Sequence, residues 1–194
     1  MLKAKNIHKE KFDGIQDFLD LGFISKKVIL AGGSLRTLIN QEDEVQDYDL
    51  FFMGAGIKAI KDKLEKKIID LGGEKVFQCK KDELRSFMLN SMKIQFISIQ
   101  GKIYNNPFDL ISQFDINAGK FAWDGEYLYF GKESVADVIH KHITINVVTY
   151  PVATIKRIVK YSEKGYKFTL AAKELVKQVS ENAVDMDADI VYID

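Results

Sequence analysis

The sequence contains one cysteine and two prolines among 194 residues, and it contains no long hydrophobic run. The single Cys79 excludes an internal disulfide, and we expect a buried thiol in a reducing compartment. No stretch approaches the roughly 18 consecutive apolar residues that a membrane span requires. The first residues also lack the apolar core of a signal peptide. These absences predict a cytoplasmic protein with no membrane partner.

Net charge is absent too, because 28 basic residues balance 28 acidic ones. This balance hides a gradient along the chain. Residues 141–178 hold eight basic and two acidic side chains, whereas residues 181–194 hold five acids and no lysine or arginine. A basic segment followed by an acidic tail bears on binding partners and not on the fold.

Hydrophobic patterning predicts strands first and a helical end. Lys27–Ala31 and Asp47–Met53 have the composition of short strands, and Leu84–Leu89 with Lys93–Ile99 indicate a hairpin. Ile57–Leu71 carries an apolar stripe at helical spacing. Further helices are predicted over His8–Leu21, Leu35–Asn40, Pro151–Ser162 and Thr169–Val179. The order predicts an α+β fold, with a mixed sheet flanked by helices and a short C-terminal helical extension.

Two carboxylates on the second predicted strand are the main candidates for chemistry. Side chains alternate along a strand, so Asp47 and Asp49 project from the same face. Neighbouring carboxylates repel each other unless a cation or protons neutralise them. A divalent cation with oxygen ligands satisfies such a pair, and it suits phosphoryl transfer.

A Gly-Gly-Ser turn precedes this strand, where the first predicted strand gives way to a short helix. Gly32 and Gly33 allow close approach of backbone N–H groups to a phosphate. Ser34 adds a hydroxyl donor, and Arg36 is positioned to reach a phosphate or to brace the carboxylates. Either feature alone usually marks only a turn or a solvated strand end. Their combination in one compact arrangement favours a phosphate site.

Gly32-Gly33-Ser34 followed by Asp47-x-Asp49 resembles the signature of the polymerase-β nucleotidyltransferase superfamily. The first stretch is similar to the Gly-Gly-x-Val-Arg-Asp motif of class II CCA-adding enzymes and bacterial poly(A) polymerases. Thirteen residues separate Gly33 from Asp47, close to that family's loop. The resemblance implies that Asp47 and Asp49 hold Mg²⁺ or Mn²⁺. It also implies a triphosphate cradle made by Gly32, Gly33, Ser34 and Arg36.

Two later stretches extend the resemblance to residues 27–166. Gln113–Ala118 is similar to the family segment that contacts the nucleotide sugar, which implies a nucleotide-binding role for Asn117. Asp115 is a candidate third catalytic carboxylate, or alternatively the cap of a turn. Pro151–Tyr166 is similar to the family's Glu-Asp-Pro-Leu-Arg…Gly-Phe segment. Its basic residues face the triphosphate, a nucleic acid or simply solvent: Lys156, Arg157 and Lys160.

The resemblance implies a minimal nucleotidyltransferase head over residues 1–148, a helical stub over 149–182 and an acidic tail over 183–194. The implied reaction transfers a nucleoside monophosphate from an NTP to a hydroxyl of RNA, a small molecule or a protein, and releases pyrophosphate. A catalytically inactive nucleotide-binding or interaction module is the alternative. Several departures from the family pattern support it: Thr37 follows Arg36, Gln95 stands where a third acid is expected, and Thr149, Tyr150 and Ala153 replace the base-reading residues.

Two other groups of residues are weaker candidates. His140 and His142 have the chemistry of metal ligands, but no matching pair stands at zinc spacing. A surface turn is the simpler interpretation of these histidines. Aromatic residues of a predicted hairpin are candidates for base stacking or for hairpin packing: Trp123, Tyr127 and Tyr129.

Overall fold

The computed structural model describes residues 1–5, 21–40, 45–99 and 102–181. The strands are β1 Leu2–Lys5, β2 Val28–Ala31, β3 Tyr48–Phe52, β4 Glu74–Gln78, β5 Leu84–Leu89, β6 Met92–Ile97, β7 Phe121–Trp123, β8 Tyr127–Phe130, β9 His142–Ile143 and β10 Lys167–Phe168. The helices are α1 Ile57–Asp70, α2 Pro107–Ser112, α3 Ser134–Ile139, α4 Pro151–Glu163 and α5 Leu170–Glu181.

Eight of the strands form one sheet in the order β1-β8-β7-β2-β3-β6-β5-β4. The pairing is antiparallel except between β3 and β6, which run parallel. Strands β9 and β10 form a separate parallel pair. This mixed sheet confirms the predicted α+β fold, with α5 as the C-terminal helical extension.

Side chains along β3 point alternately to the two faces of the sheet. Leu50 and Phe52 point into the larger core, which helix α1 closes with Leu64 and Ile68. Phe51 points the other way, into a second apolar cluster that includes residues of α2. Because Asp47 and Asp49 share the parity of Phe51, they lie on the side of the sheet opposite α1.

Most of the predicted elements are present with small shifts in their bounds. The helix predicted over Ile57–Leu71 spans Ile57–Asp70, and the hairpin predicted over 84–99 is β5–β6. The helix predicted over Leu35–Asn40 is instead a 3-10 helix over Gly33–Leu38. It starts earlier and winds more tightly because the chain turns at Gly32, whose φ is +92°. The helix predicted over 8–21 lies almost entirely outside the described residues.

Within the described ranges, no helix combines the length and the apolar character needed to cross a membrane.

Candidate active site

Asp47 and Asp49 lie at the start of β3, in the middle of the sheet. Asp49 is in register with Ala31 on β2 and with Gln95 on the parallel strand β6. The Lys93 Nζ is 3.9 Å from a carboxylate oxygen of Asp47. A Cβ added at Gly32 would come within 3.2 Å of Asp49 Oδ2. The glycine turn is therefore pressed directly against the carboxylate pair.

The electrostatic environment of this pair disfavours two bare charges. Burial raises the pKa of Asp49 well above its usual range, and the charge of Asp47 raises it further. The charges of Lys160, Lys93 and Arg157 act in the opposite direction without cancelling the shift. A bound cation would offset the same burial and repulsion, because it stabilises the ionised carboxylates.

Three buried oxygen atoms at this position have no hydrogen-bond partner among the described residues: Asp49 Oδ1, Gln95 Oε1 and Ser34 Oγ. Leaving a buried acceptor unsatisfied costs about 1–3 kcal/mol. Carboxylate and amide oxygens are the ligands that hard divalent cations prefer. The donor set thus fits Mg²⁺ or Mn²⁺, although no cluster of three or more His, Cys, Asp or Glu side chains with metal-binding geometry occurs in the described ranges.

Arg36 links the glycine turn to helix α4. Its side chain is 4% exposed, and its guanidinium carbon lies 4.6 Å from the ring centroid of Tyr161. The ring centroid of Tyr166 lies 5.8 Å from the same guanidinium carbon. These cation–π contacts hold the charge at the wall of the cavity next to Gly33. Residues of the predicted triphosphate cradle, Gly32–Arg36, are therefore packed against a distant part of the chain, while their role in binding stays a prediction.

Asp115 also faces the site, but its carboxylate is engaged with α4. The Asp115 Oδ2 accepts hydrogen bonds from Arg157 Nη1 at 2.7 Å and from Thr154 Oγ1 at 2.8 Å. This ion pair fixes Arg157 beside the cavity. A catalytic role for Asp115 stays a prediction, and the geometry adds a positioning role through Arg157.

The other predicted binding residues divide between the cavity and its surroundings. Arg157 and Lys160 line the cavity, as does Lys164, which sequence reasoning missed. Lys156 is exposed and lies outside the lining. Asn117 is buried and also lies outside it, beside Asp137, whose pKa is raised by burial although the hydrogen bond from Asn117 opposes that shift.

The weaker candidates lie away from this site. Trp123 is 1% exposed and belongs to the larger core. Tyr129 donates its hydroxyl to Asp124 within the β7–β8 hairpin. His140 follows α3 and His142 begins β9, and their exposed side chains have ring centroids 5.8 Å apart. None of these residues lines the cavity, and Cys79 is buried as predicted.

The cavity encloses about 880 Å³, which is within the range of ligand sites. It extends well beyond the carboxylates, along the same face of the sheet. Sequence reasoning missed this part, because the residues come from the β4–β5 turn and from the segment after β6. They are Phe77, Lys80, Lys81, Ile99, Lys102 and Tyr104.

Residues 3–141 match the family described as Gad2, Gabija anti-defense 2 family protein. The chain belongs to this family. No curated protein matches the chain. Membership fits the predicted minimal version of a nucleotidyltransferase head.

Solved structures share the fold at low sequence identity. The Thermotoga maritima CCA-adding enzyme complexed with tRNA superposes with a TM-score of 0.69 at 16% identity, over 94% of this chain and 46% of that one. A CCA-adding enzyme with CTP gives a TM-score of 0.70 at 16% identity, over 94% and 46%. A tRNA nucleotidyltransferase complexed with a primer tRNA and an ATP analogue superposes with a TM-score of 0.57 at 17% identity. That match covers 87% of this chain and 50% of the other.

The chain spans about half the length of these solved proteins. The comparison confirms the polymerase-β-type nucleotidyltransferase fold that the glycine and aspartate motifs predicted. The shared fold corresponds to somewhat less than half of each CCA-adding enzyme chain.

Proposed function

We propose that this chain is a metal-dependent nucleotidyltransferase, which moves a nucleoside monophosphate from an NTP to an acceptor hydroxyl and releases pyrophosphate. The Asp47–Asp49 pair carries the proposal. Asp49 lies against Gly32 and level with Gln95, and the buried Asp49 Oδ1 and Gln95 Oε1 have no hydrogen-bond partner in the part of the chain that the structure describes. The fold shared with tRNA nucleotidyltransferases supports the same class of reaction.

The residues fit Mg²⁺ or Mn²⁺ as the cofactor, held by Asp47 and Asp49 with the amide oxygen of Gln95 alongside. A divalent cation bound there would lower the pKa of the acceptor hydroxyl and offset charge on the leaving pyrophosphate. The two carboxylates would supply oxygen ligands, and the neutral amide would add one without adding negative charge.

The protein groups bind and orient the triphosphate. Backbone N–H groups at Gly32 and Gly33 approach phosphate oxygens without steric hindrance from a Cβ. Arg157 and Lys160 add positive charge from the opposite wall. In the reaction, the acceptor oxygen bonds to the α-phosphorus, the α–β phosphoanhydride breaks, and the hydroxyl proton passes to water.

Base selection is weak in this proposal. Thr149, Tyr150 and Ala153 line the cavity where the resemblance places the base-reading residues. Tyr150 is 45% exposed and offers a ring for stacking, which every base accepts. We expect the four NTPs to compete with one another within about tenfold, since no charged side chain stands at these three positions.

The family description names Gabija defence as the process that its members counter. We propose that nucleotidyl transfer is the means by which this chain does so, in the cytoplasm. RNA or another macromolecule would serve as the acceptor.

The test is incubation of the protein with each labelled NTP, Mg²⁺, and cellular RNA or protein. Label should appear in an acceptor together with pyrophosphate, and the Asp47→Asn/Asp49→Asn variant should lose both while it keeps its fold. Asp70→Asn is the matched control, because Asp70 is exposed at the end of α1. Turnover retained by the double variant would refute the mechanism.

A non-catalytic nucleotide-binding module is the second candidate. Gln95 in place of an acid, and the engagement of Asp115 with Arg157, favour it. This alternative predicts that Mg²⁺–NTP binds without pyrophosphate release, across all acceptors supplied. Calorimetric binding measured beside a pyrophosphate assay separates the two.

A further inference from the structure

The cavity has a second part, which the proposed transfer of a nucleotide leaves unassigned. The glycine turn follows β2, on one side of β3. The second part lies over β6, β5 and β4, on the other side of β3. We name it the distal trough and define it by Phe77, Lys80, Lys81, Ile99, Lys102 and Tyr104.

Strand registration gives the extent of the distal trough. Asp49 is level with Gln95, Gln95 with Ser86, and Ser86 with Phe77. Three strand spacings therefore place Phe77 about 14 Å from Asp49 across the sheet. A ligand in the distal trough is thus a different group from the triphosphate at Gly32–Gly33, although both reach the carboxylates.

The charges of the distal trough select for an anion. Lys80, Lys81 and Lys102 make no side-chain hydrogen bond or ion pair with described residues. Neighbouring cations behave differently: Arg85 binds three carboxylates, and Lys75 binds Glu65. One acid, Glu83, accompanies the three lysines in this part of the lining. No side chain among the described residues pairs with these three lysines, which line the cavity.

Apolar and aromatic side chains form the rest of the distal trough. Phe77 is 49% exposed on the edge strand β4. Phe51 and Ile97 form the floor that runs back to Asp49, and Tyr104 closes one wall. Lysines beside exposed rings are the recognition chemistry of single-stranded nucleic acid, in which rings stack on bases and ammonium groups meet phosphates.

We propose that the distal trough holds the 3′-terminal segment of a single-stranded nucleic acid, which is the acceptor in the proposed reaction. The strand lies with its phosphates on Lys80, Lys81 and Lys102 and a base against Phe77, and its 3′ hydroxyl lies at Asp47 and Asp49. This inference rests on the proposed function. The 3′ oxygen bonds to the α-phosphorus, pyrophosphate leaves, and the hydroxyl proton passes to water.

The test uses the full chain and a fluorescent single-stranded oligonucleotide with a free 3′ end. Binding is measured by anisotropy from 0.1 M to 1 M salt, for about a tenfold span, in wild type and in Lys80→Gln/Lys81→Gln/Lys102→Gln. Three lost phosphate contacts reduce the salt slope by about 2, so the affinity advantage of wild type over this variant should shrink about 100-fold as the salt rises from 0.1 M to 1 M. Phe77→Ala should weaken binding about 5- to 150-fold at all salt concentrations.

The matched control is Lys63→Gln/Lys66→Gln/Lys132→Gln. These three lysines are exposed, make no ion pair with described residues and lie outside the cavity, and their replacement removes the same three positive charges. The control should keep the wild-type salt slope. Equal slopes for the two triple variants would overturn the inference, as would label that appears only in protein acceptors.

Failure of the proposed function gives a different pattern. The distal-trough variant should bind Mg²⁺–NTP as wild type does, because its lysines lie away from the glycine turn. Nucleotidyl transfer would be refuted if the wild-type protein did not bind NTP, or if it released no pyrophosphate with any acceptor. The salt slopes would still decide whether the distal trough binds nucleic acid.

Discussion

Replacing Asp49 by asparagine should stabilise the protein in the absence of cations while it removes activity. Asp49 Oδ1 is buried without a hydrogen-bond partner among the residues that the structure describes, and burial together with the charge of Asp47 raises the pKa of this carboxyl. Asparagine keeps the shape and removes the charge. The amide leaves the same site unsatisfied, so the gain comes only from the extra cost of burying a charge beside Asp47, and we expect about 1–3 kcal/mol at neutral pH. That gain corresponds to a rise in Tm of about 2–12 °C for a chain of this size.

The pH dependence gives the sign of the effect. A carboxyl whose folded-state pKa is raised destabilises the folded protein as the pH rises above its ordinary value of 3.8, until the folded-state pKa is passed. The advantage of Asp49→Asn should therefore be small near pH 4, grow through that window and then stay constant. Thermal unfolding of both proteins from pH 4 to pH 8, without divalent cations, measures it.

Mg²⁺ and NTP should reverse the order of stability. A ligand at 100 times its Kd stabilises the folded state by about 2.7 kcal/mol, so wild type should gain this amount and Asp49→Asn should gain little. Asp70→Asn controls for the loss of one carboxylate. The reasoning would be contradicted if Asp49→Asn were less stable than wild type at pH 8 without cations. A stability advantage of Asp49→Asn that is equal at pH 4 and pH 8 would contradict it too.

Two further substitutions test contacts that shape the site and the sheet. Asp115→Asn removes the charged partner of Arg157, and we expect a loss of about 1.5–3 kcal/mol in urea unfolding, with weaker NTP binding; unchanged stability would show that the pair is dispensable. Gly73→Ala places a Cβ 2.6 Å from Ile68 Cγ2 and 2.9 Å from the carbonyl oxygen of Met88, so overpacking should cost about 1–3 kcal/mol in the same assay. A neutral result there would mean that α1 and β5 move apart freely.

Local spacing was enough to predict the centre of the site. The parity of Asp47 and Asp49 follows from the period of a strand, and Gly32 and Gly33 mark a turn without reference to any other element. The fold class followed from the order of the elements. These inferences depend on residues fewer than twenty positions apart.

Contacts between distant segments were not predictable in the same way. Gln95 stands level with Asp49 only because β6 pairs with β3 in parallel, which no local pattern encodes. Asp115 meets Arg157 across 42 positions, and sequence spacing gives no register for that contact. Lys80 and Lys81 join the cavity because β4 is the third strand away from β3. Strand order, and not residue type, brings them there.

The buried guanidinium of Arg36 has a consequence for where the chain can be divided. Charge and resemblance suggest a head that ends at residue 148, yet Tyr161 and Tyr166 cover Arg36, and α4 supplies a wall of the cavity. A fragment ending at 148 would expose an arginine that belongs to the interior and would leave Asp115 without its cation. Helix α4 is thus an integral wall of the cavity, and a fragment that is to keep the cavity intact must extend past Tyr166.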